Sequence, residues 1–139
     1  MCMDKNWVAA RTCVYNIGYH IVWSTKYRRK ALIGAVADRC KALFAQIATE
    51  HDFEVRIMEV MPDHVHLFIS AHPKYAPGEL VKKLKGQSGR WLFMKFPELS
   101  KKFRHGHIWN SSTYYGTVGD MSRATVEKYI AMQKSHDED

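Results

Sequence analysis

With 139 residues and 46% hydrophobic content, the chain is long enough to bury a core as one compact domain. No run approaches the ~20 consecutive apolar residues of a membrane span, and Met1-Cys2-Met3-Asp4-Lys5-Asn6-Trp7 lacks the apolar centre of a signal peptide; both point to a cytoplasmic protein with no membrane partner. A formal net charge of +7 turns the chain toward polyanions, nucleic acid ahead of acidic lipid.

In chain order, residues 1–13 show no clear period and are expected to form a loosely held arm. Cys2, Cys13 and Cys40 are odd in number and unrelated in spacing, which suggests neither a disulfide framework nor a cysteine zinc site. From Val14 to Ser24, the alternation of Tyr15, Ile17, Tyr19, Ile21 and Trp23 predicts a strand. Lys26-Tyr27-Arg28-Arg29-Lys30 reads as an exposed connection. Between Leu32 and about Glu50, Ile33, Val36, Ala37, Cys40, Leu43, Phe44 and Ile47 recur in three- and four-residue steps, the inward stripe of a helix. Phe53 to Met61 alternates again, and the Pro62-Asp63 turn returns the chain as a strand over His64 to Ser70, forming a hairpin.

A second helix starts near Pro77, a residue suited to a first turn, with Leu80, Val81, Leu84, Ser88, Trp91 and Leu92 inward and Lys82, Lys83, Lys85 and Arg90 outward. Gly86 and Gly89 each cost that helix ~1 kcal/mol, and close approach of a neighbouring strand, close approach of DNA, or a weak helix accounts for them. Pro97 to His107 reads as a basic loop, Trp109 to Val118 as the last strand, and Asp120 or Ser122 as the cap of a final helix at about 122–134. Strand, helix, strand, strand, helix, strand is the order of an α+β, ferredoxin-like (RRM-like) fold: an antiparallel sheet with helices on one face, here with an extra C-terminal helix. One domain over residues 1–139 is expected.

The chemistry concentrates in Met61-Pro62-Asp63-His64-Val65-His66-Leu67-Phe68. Alternate strand residues share a face, so Val65, Leu67 and Ile69 form a core face while His64, His66 and Phe68 stand on an open one. Two rises of roughly 3.3 Å set the two histidines about 6.6 Å apart at the backbone. Two imidazoles at that spacing can converge on one ion, although a water-facing polar pair has the same spelling. His20, on the strand face opposite Tyr19 and Ile21, reads as structural or close to DNA rather than as a ligand. The basic clusters at 26–30, 82–85 and 101–105, each with aromatic neighbours, suit a phosphate-tracking surface. Charge placement assigns phosphate contacts to Lys26, Arg28, Lys82, Lys83 and Lys85; Trp91 and Phe93 suit the core better than base stacking. In the last helix, Val126 and Ile130 anchor one face while Tyr129 and Gln133, also four apart, share its neighbour.

Taken together, the sequence resembles the single-tyrosine HUH transposases, the small TnpA-type enzymes of bacterial and archaeal insertion sequences. The matching segments are Tyr19-His20-Ile21-Val22-Trp23, Lys26-Tyr27-Arg28, Met61 through Leu67, Trp109-Asn110, Thr117-Val118-Gly119-Asp120 and Glu127 through Gln133, in the family's order. The resemblance implies cleavage and rejoining of single-stranded DNA, with Tyr129 as the nucleophile that forms a covalent 5′-phosphotyrosine. It further implies a divalent metal on His64, His66 and Gln133. Two imidazoles, a carboxamide oxygen and open positions suit Mg²⁺ or Mn²⁺ better than structural zinc. Subterminal DNA hairpins and a homodimer with active sites completed across subunits are the implied partners. Three alternatives stand beside this reading: a domesticated relative acting on chromosomal repeats, a non-catalytic RRM-like binding module, and a metal-dependent phosphoesterase that uses water.

Overall fold

The computed structural model describes residues 7–118. The expected final helix, with Tyr129 and Gln133, lies outside the described residues, as do Cys2 and the first part of the arm. The elements are β1 (Val8–Ala9), β2 (Val14–Tyr15), β3 (Gly18–Ser24), a 3-10 turn (Lys26–Arg28), α1 (Gly34–Glu50), β4 (Phe53–Val60), β5 (His64–Ala71), α2 (Pro77–Lys95), α3 (Leu99–Lys102) and β6 (Tyr114–Val118). Four strands form one antiparallel sheet in the order β4-β5-β3-β6. This is an α+β fold in which a four-stranded antiparallel sheet packs against helices.

One sheet face builds the core. Ile21 and Trp23 of β3 and Val65, Leu67 and Ile69 of β5 cluster with Cys40, Leu43, Phe44 and Ile47 of α1 and Leu80, Leu84 and Leu92 of α2. Period two on the strands and period 3.6 on the helices therefore converge on the same apolar layer. At its centre Trp23 meets Phe44 and Trp109 edge-on, with ring centroids 5.7 Å apart in both pairs.

Several boundaries differ from those the sequence predicts, each for a local reason. The first long strand is broken: β2 pairs with β1 in a separate two-stranded sheet, so part of the expected arm is a short strand. The first helix begins at Gly34, whose φ of +55° lets the chain turn into it. Ile33 is left extended before the helix and 55% exposed, outside the inward stripe. On α2, Trp91 also leaves the stripe, at 48% exposure, because Leu92 takes the core position. The basic loop contains α3, and Leu99 and Phe103, four apart, turn inward and are buried. The last strand is shorter than expected: Trp109 makes only an isolated bridge to Thr25, and regular pairing starts at Tyr114.

Cys40 is fully buried in α1, and burial pushes its thiol up to about 12, against a smaller lowering by Lys41. Iodoacetamide at pH ~8 is accordingly expected to label the half-buried Cys13 and to spare Cys40 until guanidinium unfolds the chain; peptide mass analysis reads both sites. The sign of the linked pH effect follows. An unfolded cysteine ionises near ~8.5, so between there and about 12 the native state keeps a proton that the unfolded chain has lost. Cys40 therefore makes stability fall as pH rises through that window.

Candidate functional site

The β4–β5 hairpin turns at Pro62-Asp63, closed by Met61 N–H donating to the His64 carbonyl at 2.8 Å. Leaving that turn, β5 carries His64 and His66 on one side, with ring centroids 4.8 Å apart and planes at 75°. Each ring is engaged at Nδ1. His64 Nδ1 lies 2.7 Å from Asp63 Oδ1, and the other carboxylate oxygen, Oδ2, accepts from Arg28 Nε at 3.2 Å. Burial raises the Asp63 carboxyl, but hydrogen bonds from His64 and Arg28, with their charges, outweigh it and hold the group below its usual range. An ionised carboxylate can only accept, so His64 donates from Nδ1, and in the neutral ring that leaves the lone pair on Nε2. His66 Nδ1 lies 3.4 Å from His20 Nε2. His20 pairs in register with Phe68 and stacks on it at 4.4 Å and 8°, with Tyr114 edge-on at 5.7 Å.

That stacking corrects one expectation. The second sheet face is not open at this point: His66 is 1% exposed and His20 and Phe68 are fully buried, with aromatic rings from neighbouring strands packed across one another. His20, which the sequence places on the same strand face, stands beside the pair with its Nε2 toward His66. Two imidazoles with their Nδ1 atoms held by neighbours are a fitting donor set for a divalent ion. Among the described residues no group of three or more His, Cys, Asp or Glu side chains could hold a metal, so completing such a site needs a ligand of another type or from elsewhere.

Sequence reasoning read Asp63 only as a turn former. The available signal was an acid directly before a metal-type histidine, at a turn that lets the side chain fold back. The turn facing it, residues 25–29, is strained. Tyr27 and Arg28 have φ of +59° and +51°, in the left-handed region that costs a residue with a side chain about 1–2 kcal/mol each. The Arg28–Asp63 pair cannot offset that alone, since Arg28 is 64% exposed and exposed pairs contribute about 1 kcal/mol or less. Hydrogen bonds to backbone carbonyls hold the turn instead. Thr25 N–H donates to the Asp63 carbonyl at 2.9 Å, Lys26 N–H to the Ile108 carbonyl at 2.8 Å, and Thr25 Oγ1 to the Arg29 carbonyl at 2.6 Å.

Beyond that turn runs a basic cleft. Its central part, about 690 Å³, lies between α2 and residues 106–111 and is lined by Lys26, Lys82, Lys85, Arg90 and Phe93 among others. At one end it shares Lys26 and His107 with a second hollow of about 380 Å³ containing Arg29, Lys101, Lys102 and Arg104. At the other it shares Lys82 and Arg90 with a third of about 540 Å³ that includes Lys83. Lys85, expected to face outward, bends back. Its Nζ donates to the Asn110 carbonyl at 2.6 Å and to Thr113 Oγ1 at 2.9 Å, and lies 5.7 Å from the Trp23 ring centre. Burial lowers its pKa. The two glycines of α2 now separate. A side chain at Gly89 would meet Ile108 and Trp109, which pack against the helix there, whereas Gly86 has nothing within 4 Å and lies on the cleft.

With this geometry in place, comparison with known proteins is specific. The family model described as "Transposase IS200 like" matches residues 13–133. The ISDra2 transposase TnpA of Deinococcus radiodurans is 45% identical over 129 residues, which cover 93% of this chain and 91% of that protein. The transposase for insertion sequence element IS200 of Salmonella typhimurium is 29% identical, over 88% of this chain and 80% of the relative. Among solved structures, a Deinococcus radiodurans protein assigned as a transposase superposes with a TM-score of 0.75 at 40% identity, covering 91% of this chain and 97% of the other. A REP-associated tyrosine transposase bound to a REP hairpin shares the fold, with a TM-score of 0.56 at 12% identity, over 82% and 63% of the two chains. The chain belongs to the IS200-like transposase family.

Proposed function

We propose that this transposase cleaves and rejoins single-stranded DNA through Tyr129, with His64, His66 and Gln133 as the ligands of a divalent ion. The observation that carries the reading is the imidazole pair on β5, both rings held at Nδ1. The tyrosine oxygen attacks the scissile phosphorus, the bond to the 3′ oxygen breaks, and that oxygen takes a proton to leave as a 3′-OH. The bond energy stays in the 5′-phosphotyrosine, so a 3′-OH can reverse the step without ATP. When bound, Mg²⁺ or Mn²⁺ polarises the phosphate and offsets its developing charge.

The strand order β4-β5-β3-β6 fits the split β-α-β arrangement of ferredoxin-like folds, with the tyrosine helix added at its end and the whole chain acting as one domain. Phosphate contact falls to Lys26, Lys82 and Lys83, which line the cleft. Lys85 also lines the cleft and Arg28 adds charge beside it, with their head groups held by Asn110 and Thr113 and by Asp63. The relative bound to a REP hairpin supports hairpin DNA as the partner here, and a homodimer that exchanges tyrosine helices would complete each site.

The test mixes the protein with a labelled random-sequence single-stranded DNA pool that includes hairpins, plus Mn²⁺, and reads a denaturing gel for protein-linked DNA. An adduct is expected that EDTA abolishes and that His64→Ala and His66→Ala each reduce about 100-fold or more, in line with loss of metal chemistry. DNA binding with no adduct in Mn²⁺ or Mg²⁺ would instead make the chain a binding module.

A further inference from the structure

We propose that Asp63 and Arg28 are positioning residues for the metal site, the strained turn at 25–29 holding Arg28 against Asp63 and Asp63 fixing the His64 ring. This rests on the metal reading of His64 and His66 just given and adds to it how the first ligand is aimed. The chain of contacts is continuous: Arg28 Nε donates to Asp63 Oδ2 at 3.2 Å, and Asp63 Oδ1 accepts from His64 Nδ1 at 2.7 Å. A carboxylate in that place selects one tautomer and one ring orientation, and it makes the opposite nitrogen more basic. His66 has a matching support in His20, 3.4 Å from its Nδ1.

Three observations favour positioning over a phosphate contact for Arg28. Its guanidinium is already paired with a carboxylate that is itself committed to His64. Both Tyr27 and Arg28 adopt left-handed backbone angles to bring it there, and strain of this kind persists where surrounding structure enforces a needed geometry. The turn is also bonded on both sides, to the Asp63 carbonyl through Thr25 and to the Ile108 carbonyl through Lys26. One short segment thereby sets the register between the histidine pair and the basic cleft.

Mn²⁺ binding to the full chain without DNA, measured by calorimetry, tests this, with the His64 ring nitrogens followed by NMR. His64→Ala and His66→Ala should lose Mn²⁺ affinity about 100-fold or more. Asp63→Asn should lose about 10- to 100-fold and move His64 from a single Nδ1–H form to a tautomer mixture. Arg28→Ala should lose several-fold. If Asp63→Asn and Arg28→Ala bind Mn²⁺ like the parent while the histidine variants do not, positioning is wrong and the metal site stands. If the histidine variants also bind like the parent, the metal reading itself fails. Weaker single-stranded DNA binding by Arg28→Ala in EDTA, with Mn²⁺ affinity unchanged, would make Arg28 a phosphate contact and overturn its part. Thermal melts of each variant, with Arg28→Ala outside the hairpin as the milder change, separate misfolding from loss of aim.

Discussion

In Tyr129→Phe the protein–DNA adduct is expected to vanish and strand cleavage to fall by about 10⁴-fold or more, the scale of loss when an enzyme's nucleophile is removed. The substitution deletes one oxygen and keeps the ring, so Mn²⁺ affinity and single-stranded DNA affinity should stay within about two- to threefold of the parent. That separation gives the experiment its power. A free phenol has a pKa of about 10, so tyrosine is a weak nucleophile that needs a polarised phosphate beside it, whereas water is always present. An enzyme that used the His64–His66 site to activate water would keep most of its cleavage in Tyr129→Phe and yield free ends rather than linked DNA. Free ends at near-parental rate would therefore refute the tyrosine mechanism while leaving the metal pair intact. Loss of adduct together with loss of DNA binding would show Tyr129 to be a binding residue.

The sequence disclosed a good part of this molecule because its core obeys simple periods. Val65, Leu67 and Ile69 alternate with His64, His66 and Phe68, and the fold buries the first set in the main core as the alternation requires. The stripe Cys40, Leu43, Phe44 and Ile47 likewise faces the sheet. Period says less at the edges of a stripe: Trp91 and Leu92 both follow Ser88 at helical spacing, and only packing decides that Leu92 goes inward. Composition misled over 97–107, where many charges concealed the four-residue spacing of Leu99 and Phe103.

Within the site, the two histidines were legible as a pair, but their supports were not. Arg28 meets Asp63 from 35 residues away, and no local rule connects a basic connection to a distant turn. His20 could be placed on the right strand face, yet its contact with His66 depends on β3 and β5 pairing in one register. Lys85 shows the converse, since a lysine on an outward helix face has three neighbours in a loop that sequence read as strand.

That loop leads to the second large effect. Trp109→Ala is expected to destabilise the fold by about 3–5 kcal/mol, lowering the melting temperature by about 10–20 °C for a domain of this size. Trp109 is 8% exposed, edge-on to Trp23 at 5.7 Å and near-parallel to Phe44 at 6.3 Å. Its Nε1–H donates to Ser88 Oγ at 3.0 Å, and α2 approaches its ring where Gly89 has no side chain, with a would-be Cβ only 3.7 Å from Trp109 Cδ1. Removing the ring thus opens a cavity bordered by β3, α1 and α2 and leaves the buried Ser88 hydroxyl without a donor. Trp109→Phe isolates the second loss: it keeps an aromatic ring, forfeits the N–H, and should cost about 1–3 kcal/mol. The order parent, Phe, Ala in urea midpoint is the expected result. Equal midpoints for all three would mean that the 106–111 wall of the basic cleft is latched from outside. Lys85→Met, which keeps the stem over Trp23 but loses the bonds to Asn110 and Thr113, should then carry the loss instead.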